Sequence, residues 1–294
     1  MFTKLDRVRS HLNAQGLVTY PGLFSQLGSQ VANRTHSPFD CVVVDESQDI
    51  SVAQLKFLAA LGGNRPNSLF FAGDLGQRIF QLPFSWKSLG VDIRGRSRTL
   101  HINYRTSHQI RMQADRLLGL EVSDVDGNTE DRRRTVSVFN GPAPTICVLD
   151  SLEDEATVVS EWLTARKGEN VLPHEIGVFV RSDAELGRAQ SAVEQTGLHF
   201  NVLDENVETT SRFVSISTMH LAKGLEFRTV VVMACDDEII PLQQRIESVT
   251  DNADLEEVYN TERHLLYVAC TRARDHLLVT SVSPASEFLD DLQM

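Results

Sequence analysis

No stretch of this 294-residue chain is apolar for more than six residues; the longest are Val230–Cys235 and Leu265–Cys270. A membrane-spanning helix needs ~20, so no membrane partner is expected. The opening MFTKLDRVRSHLNAQG has no apolar signal core, which places the expected location in the cytoplasm. Cysteine is scarce, and the four present (41, 147, 235 and 270) lie far apart in apolar contexts without CxxC or Cys/His spacing. That pattern suggests no metal site, and suits core residues in a reducing compartment. Basic residues are outnumbered 28 to 40, giving a net charge of −12, which argues against a protein that coats nucleic acid. The arginines that are present are bunched: 94, 96, 98, 105, 111 and 116 stand against the single acid Asp115, and Arg132–Arg134 form a second cluster. Such a band fits a phosphate-binding groove or a solvated face.

What the chain does have is strand and helix in alternation. An apolar content of 41% and a charged content of 23% are those of a globular protein. Cys41–Val44, Ser68–Ala72, Thr99–Ile102, Thr145–Leu149, Ile176–Val180, Val214–Ser217, Thr229–Ala234 and Leu277–Ser281 read as strands. Helical periodicity covers Val52–Leu61, Ser107–Leu118, Glu153–Arg166, Asp183–Thr196 and Glu256–Arg274. Residues 1–39 read as two short helices broken at Tyr20-Pro21-Gly22. Alternation of this kind predicts an α/β fold with a mostly parallel sheet. The polar, glycine-containing stretch 121–144 is expected to be a linker or surface excursion, dividing residues 1–120 from 145–294.

Six segments place chemistry at strand ends or just after them. The first is Asp45-Glu46, two carboxylates closing a buried strand. Such a pair can hold a divalent metal carrying substrate phosphates and orient a water. The others are Gly73–Phe80 (GDLGQRIF) with Asp74 and Gln77; Leu100–Ser107 (LHINYRTS) with Tyr104 and Arg105; Arg181; Ile216–Phe227 (ISTMHLAKGLEF) with Thr218, His220, Lys223 and Gly224; and Glu262–Arg274 (ERHLLYVACTRAR) with Arg272. Arginines offer phosphate a bidentate fork; hydroxyl, imidazole and lysine groups beside a glycine can meet a phosphate backbone. Any one segment alone also reads as a capped strand end or a surface charge. Six in this order point to a phosphate-handling machine.

Together VVVDESQD, GDLGQRIF, LHINYRTS, STMHLAKGLEF and ERHLLYVACTRAR resemble motifs II to VI of the UvrD/Rep type of superfamily 1 DNA helicases, over about residues 39–282. The resemblance implies two RecA-like P-loop NTPase lobes with ATP between them, walking 3′ to 5′ along single-stranded DNA. By it, Asp45 would bind the Mg²⁺ of Mg-ATP and Glu46 would activate the attacking water. Gln77 and Arg105 would address the γ-phosphate, and Arg272 would be the arginine finger. Asp74, Tyr104, Gly224 and Glu226 fall among the nucleotide contacts, Tyr104 near adenine and Glu226 at the ribose. Trp86, Thr218, His220 and Lys223 correspond to the contacts with single-stranded DNA.

The chain departs from the family in having no GxxxxGK[ST] phosphate loop; Lys167-Gly168 and Lys223-Gly224 run in the opposite order. That loop supplies the N–H cradle and the lysine for the β- and γ-phosphates. The first lobe is therefore expected to be incomplete, as in an N-terminally truncated helicase. ATP and Mg²⁺ are then expected to act only with the loop supplied, by an N-terminal segment or a partner chain, and the chain alone to show little ATPase activity. The interval from Arg181 to Ile216 is short, as in a minimal motor. The alternatives are a non-catalytic nucleic-acid-binding or regulatory remnant and one half of a split helicase.

Overall fold

The computed structural model describes the chain apart from residues 1, 35, 64, 82, 120, 205–208, 250 and 294. It divides into two compact units: residues 1–75, 80–97 and 123–128, and residues 76–79, 98–122 and 129–294. The stretch expected to be a linker is thus shared, its residues 123–128 going with the first unit and 129–144 with the second.

In the first unit, helices α1 (Phe2–Ala14) and α2 (Tyr20–Ala32) precede strand β1 (Val42–Val44), helix α3 (Val52–Gly62) and strand β2 (Leu69–Phe71). Tyr20-Pro21-Gly22, read in sequence as a break, is the first turn of α2. Thr19 caps it by accepting from Gly22 N, and proline is tolerated there because the first-turn N–H groups have no helical partner. A capping box of Ser51 and Gln54 starts α3. Strands β1 and β2 pair in parallel, Val43 opposite Phe70. Val44 and Phe71 join Ile50, Leu55, Val91 and Trp86 in the core, whereas Val43 and Phe70 face away and are 69% and 60% exposed.

After residues 76–79 the second unit continues with β3 (Ile102–Asn103) and α4 (His108–Ala114); β4 (Glu121–Ser123), whose last residue falls in the first unit, pairs with β5 (Thr129–Asp131), and β6 (Val136–Ser137) pairs with β3. There follow β7 (Thr145–Leu149), α5 (Leu152–Gly168), β8 (Ile176–Val180), α6 (Leu186–Gln195), β9 (Phe200–Val202), β10 (Val214–Thr218) and β11 (Phe227–Val232). Helices α7 (Gln243–Glu247) and α8 (Asn252–Cys270), strand β12 (Ala273–Val282) and helix α9 (Phe288–Gln293) complete it. Strands β7 to β12 form one six-stranded sheet, in the order β7-β12-β11-β8-β10-β9, with every pairing parallel. The fold class read from the sequence is therefore the one observed.

Both faces of this sheet are covered, as a parallel sheet requires. Val178, Val180, Val231 and Leu278 pack under α5 and α6. Phe179, Val230, Val232 and Val279 pack under α8, α4 and α9. Of the 132–134 arginines, read in sequence as part of a phosphate-binding groove or a solvated face, Arg132 is neither. It is buried, donates to Asp115 and to the Tyr267 hydroxyl, and stacks 4.8 Å from the Tyr267 ring. A buried guanidinium needs a charge partner, and Asp115, the single acid of the basic band, supplies it.

Candidate nucleotide and nucleic-acid sites

In the first unit the carboxyl ends of β1 and β2 meet. Asp45 Oδ1 accepts from Glu46 N at 2.9 Å. Glu46 stands in the left-handed region, φ 52° and ψ 41°, a costly conformation for a residue with a side chain and one that clusters at functional sites. Gln48 holds it there: Nε2 donates to Glu46 Oε2 at 2.5 Å while Oε1 accepts from Asp74 N at 3.1 Å. Gly73 is the residue that lets β2 come this close. A Cβ there would lie 2.5 Å from both Gln48 Oε1 and Ser47 Oγ. Asp45 and Glu46 are exposed. Among the described residues no three His, Cys, Asp or Glu side chains converge as a metal cage. The donors present fit a hard cation held through one carboxylate, with other ligands from phosphate and water.

Trp86, expected at a DNA base, packs edge-on to Phe71 with ring centroids 4.9 Å apart. Its backbone N–H and that of Lys87 donate to Asp126 Oδ2 at 2.7 and 3.0 Å, and the Ser85 hydroxyl donates to Asp126 Oδ1 at 2.5 Å. These bonds, the Ser85 one foremost, hold the Asp126 carboxyl below its usual range.

In the second unit the site residues separate to opposite ends of the parallel sheet. Glu226 and Arg272 immediately precede β11 and β12, so they lie at the amino ends of these strands. The helix expected to run through Arg274 stops at Cys270, where Thr271 caps it with its hydroxyl on Tyr267 O. Arg272 is thereby placed in a buried bend between helix and strand. Its guanidinium donates to Val268 O at 3.0 Å, Leu225 O at 3.4 Å and Gln77 Oε1 at 3.2 Å. Lys223 Nζ donates to the Gln77 carbonyl at 3.3 Å, so this lysine joins the Gln77–Arg272 group. Gly224, with φ +81° and open space around it, supplies the left-handed turn that leads to the Leu225 carbonyl. Arg105 Nε donates to Glu226 Oε1 at 2.5 Å. Tyr104, Arg105, Glu226, Phe227 and Arg272, with His174, Glu175, Arg228 and Arg274, line a cavity of about 270 Å³. The last four were not singled out in the sequence; Arg228 and Arg274, which both bond to Asp275, lie one residue inside strands, where nothing local marks them.

At the carboxyl ends of β8 and β10 stand Arg181 and Thr218, with His220 in the turn after β10. Arg181, read in sequence as a phosphate candidate, is consumed by a buried bidentate pair with Glu262, 2.5 and 2.6 Å. Burial, then the nearby Arg181 charge, holds the His220 imidazole below its ordinary pKa.

Residues 2–85 match the family described as UvrD/REP helicase N-terminal domain, and residues 193–284 the UvrD-like helicase C-terminal domain. The chain belongs to the UvrD/Rep-type superfamily 1 helicases. It is 26% identical over 253 residues to a probable DNA helicase of Mycoplasma pneumoniae, covering 83% of this chain and 44% of that protein. It is 42% identical over 84 residues to the putative ATP-dependent DNA helicase YjcD of Bacillus subtilis (28% and 10%). With the ATP-dependent DNA helicase UvrD1 of Mycobacterium tuberculosis the figures are 30% over 155 residues (49% and 18%). The chain thus spans less than half the length of these relatives. Among solved structures, the C-terminal domain of a possible DNA helicase from Lactobacillus plantarum aligns with 65% of this chain and 94% of its own, at 22% identity and a TM-score of 0.45. Among the described residues no helix is long and apolar enough to cross a membrane.

Proposed function

We propose that this chain is the motor portion of an ATP-dependent helicase or translocase that moves 3′ to 5′ on single-stranded DNA. One observation carries the reading. Gln77 and Arg272, 195 residues apart, are hydrogen-bonded to each other, and Arg272 shares its cavity with Arg105 and Glu226. Two guanidiniums lining one cavity, one of them bonded to a glutamine amide, suit the charge that builds on a transferring phosphoryl group.

In this reading Arg105 and Arg272 neutralise the terminal phosphate, Gln77 senses it, Glu226 takes the ribose hydroxyls and Tyr104 offers a flat face to the base. In the first unit Asp45 would hold magnesium, and Glu46, fixed by Gln48, would orient the attacking water and take up its proton. Bound Mg-ATP supplies the phosphoanhydride that is cleaved. Thr218 and His220 contact the strand backbone. Because the sequence contains no GxxxxGK[ST] segment, the phosphate cradle comes from a further segment or a partner chain, and the polypeptide alone hydrolyses ATP slowly.

Steady-state ATPase assays with and without single-stranded oligonucleotide test this. The 294-residue chain is expected to be close to background, yet to bind a fluorescent ATP analogue more weakly after Arg105→Ala or Arg272→Ala. DNA-stimulated turnover at an ordinary helicase rate by this chain alone would overturn the missing-cradle assignment. Nucleotide binding indifferent to both arginines would overturn the site.

A further inference from the structure

The carboxyl ends of β8 and β10 carry more than the residues that the motifs mark. Strand β8 sits in the middle of the sheet: the chain leaves it toward β9 and β10 on one side, and returns from β10 to β11 on the other. Open parallel sheets bind ligands outside such a reversal, at the carboxyl ends of the strands. Five elements converge there: the ends of β8 and β10, the turn bearing His220, helix α7 and helix α8.

Glu262 organises them. It is fully buried on α8, and its carboxylate accepts from Arg181 Nε and Nη2, from Arg245 Nη1 at 2.9 Å and from Leu242 N at 3.4 Å. Arg181 engages both oxygens and is itself buried, so that pair is closed to any ligand. Arg245 differs. Its side chain retains 36% exposure while one nitrogen is anchored to Glu262. A guanidinium fixed at one edge and open at the other is pre-organised for an oxyanion, since little side-chain freedom is left to lose on binding. Its charge reaches His220, whose proton affinity both Arg245 and Arg181 reduce. Glu257 also feels Arg245, but no bond joins them among those described.

We propose that Arg245 is a backbone-phosphate ligand for single-stranded DNA at this end of the sheet, with Glu262 as the residue that positions it. The inference rests on the reading that Thr218 and His220 line the DNA path, and adds to it a residue outside the helicase motifs.

The experiment is anisotropy of a fluorescein-labelled oligo(dT) with the full chain over a salt series. Each phosphate contact on a single strand contributes about −0.7 to the slope of log affinity against log salt. Arg245→Gln, which can still donate to Glu262, is expected to reduce the slope by about that amount and to weaken binding severalfold at low salt, with an unchanged melting temperature. Arg245→Lys keeps the charge and is expected to keep the slope. If the wild type binds and Gln leaves affinity and slope unchanged, or if Lys loses as much slope as Gln, the assignment of Arg245 is wrong while the DNA path stands. If the wild type fails to bind the oligonucleotide at any salt, the DNA path itself falls, and Arg245 with it.

Discussion

Arg105 and Glu226, 121 residues apart, hold each other at 2.5 Å, and both line the second unit's cavity. Both were read from sequence as nucleotide ligands, and here each is the other's partner. A phosphate that reaches Arg105 must compete with the Glu226 carboxylate. The side chains are 40% and 58% exposed, and exposed ion pairs contribute only ~0–1 kcal/mol, so the contact is a weak latch. Glu226→Gln is expected to tighten binding of inorganic tripolyphosphate, a probe without ribose, by up to about fivefold. Isothermal titration at low salt reads it; unchanged or weaker binding would mean the pair exerts no hold on Arg105.

Removing Glu262 should be far more damaging. Glu262→Ala leaves the buried Arg181 guanidinium without its counter-charge, and breaking such a pair costs ~3–5 kcal/mol. Denaturant unfolding of the second unit is expected to shift by about that amount. A loss below ~1 kcal/mol would show that water reaches Arg181 and screens it.

Acid should weaken the second unit before its carboxylates titrate. His220 and His276 both have pKa values lowered from 6.5, by burial first and then by Arg181 and Arg166 respectively. In the unfolded chain each takes up a proton near pH 6.5; in the folded chain each resists. Unfolding therefore becomes easier as pH falls below about 6.5, and the stability these residues contribute is full only above it. Denaturation midpoints measured at about pH 7.5 and 5.5 should converge in a His220→Gln/His276→Gln double variant. A wild-type midpoint that does not fall with acid would contradict the assignment.

Thiol chemistry separates the four cysteines. Cys41 is exposed, Cys147 intermediate, and Cys235 and Cys270 buried. Burial pushes the Cys270 thiol up to about 12 and Cys235 well above its ordinary value. Only the thiolate reacts. One fast equivalent with a colorimetric disulfide reagent is expected from native protein, abolished by Cys41→Ser, and all four after denaturation. Rapid labelling of Cys270 in native protein would show that the core opens readily.

Val43 and Phe70 form an exposed apolar pair on a two-stranded sheet, and such surfaces promote association. Val43→Thr with Phe70→Thr should lower light scattering at high concentration without moving the melting temperature. Undiminished scattering would locate the sticky surface elsewhere.

The sequence by itself determined the elements that nearest-neighbour patterning controls. Ile176–Val180 falls where its apolar run puts it, because a strand buried on both faces leaves an unbroken apolar signal; Thr145–Leu149 does so too, although as the edge strand of the sheet it stays partly exposed. It also supplied the family, since LHINYRTS, KGLEF and LLYVACTRA persist as text. It did not reveal β9 or α7, which are short and lack periodicity, or the end of α8 at Cys270, where a threonine cap overrides the helical pattern. Only the tertiary structure decided which charges are committed and which remain open. Arg181 and Arg245 look alike in a chain of letters; one is closed inside a carboxylate's grip and the other is held at a single edge, because Glu262, far along the chain, is folded in between them.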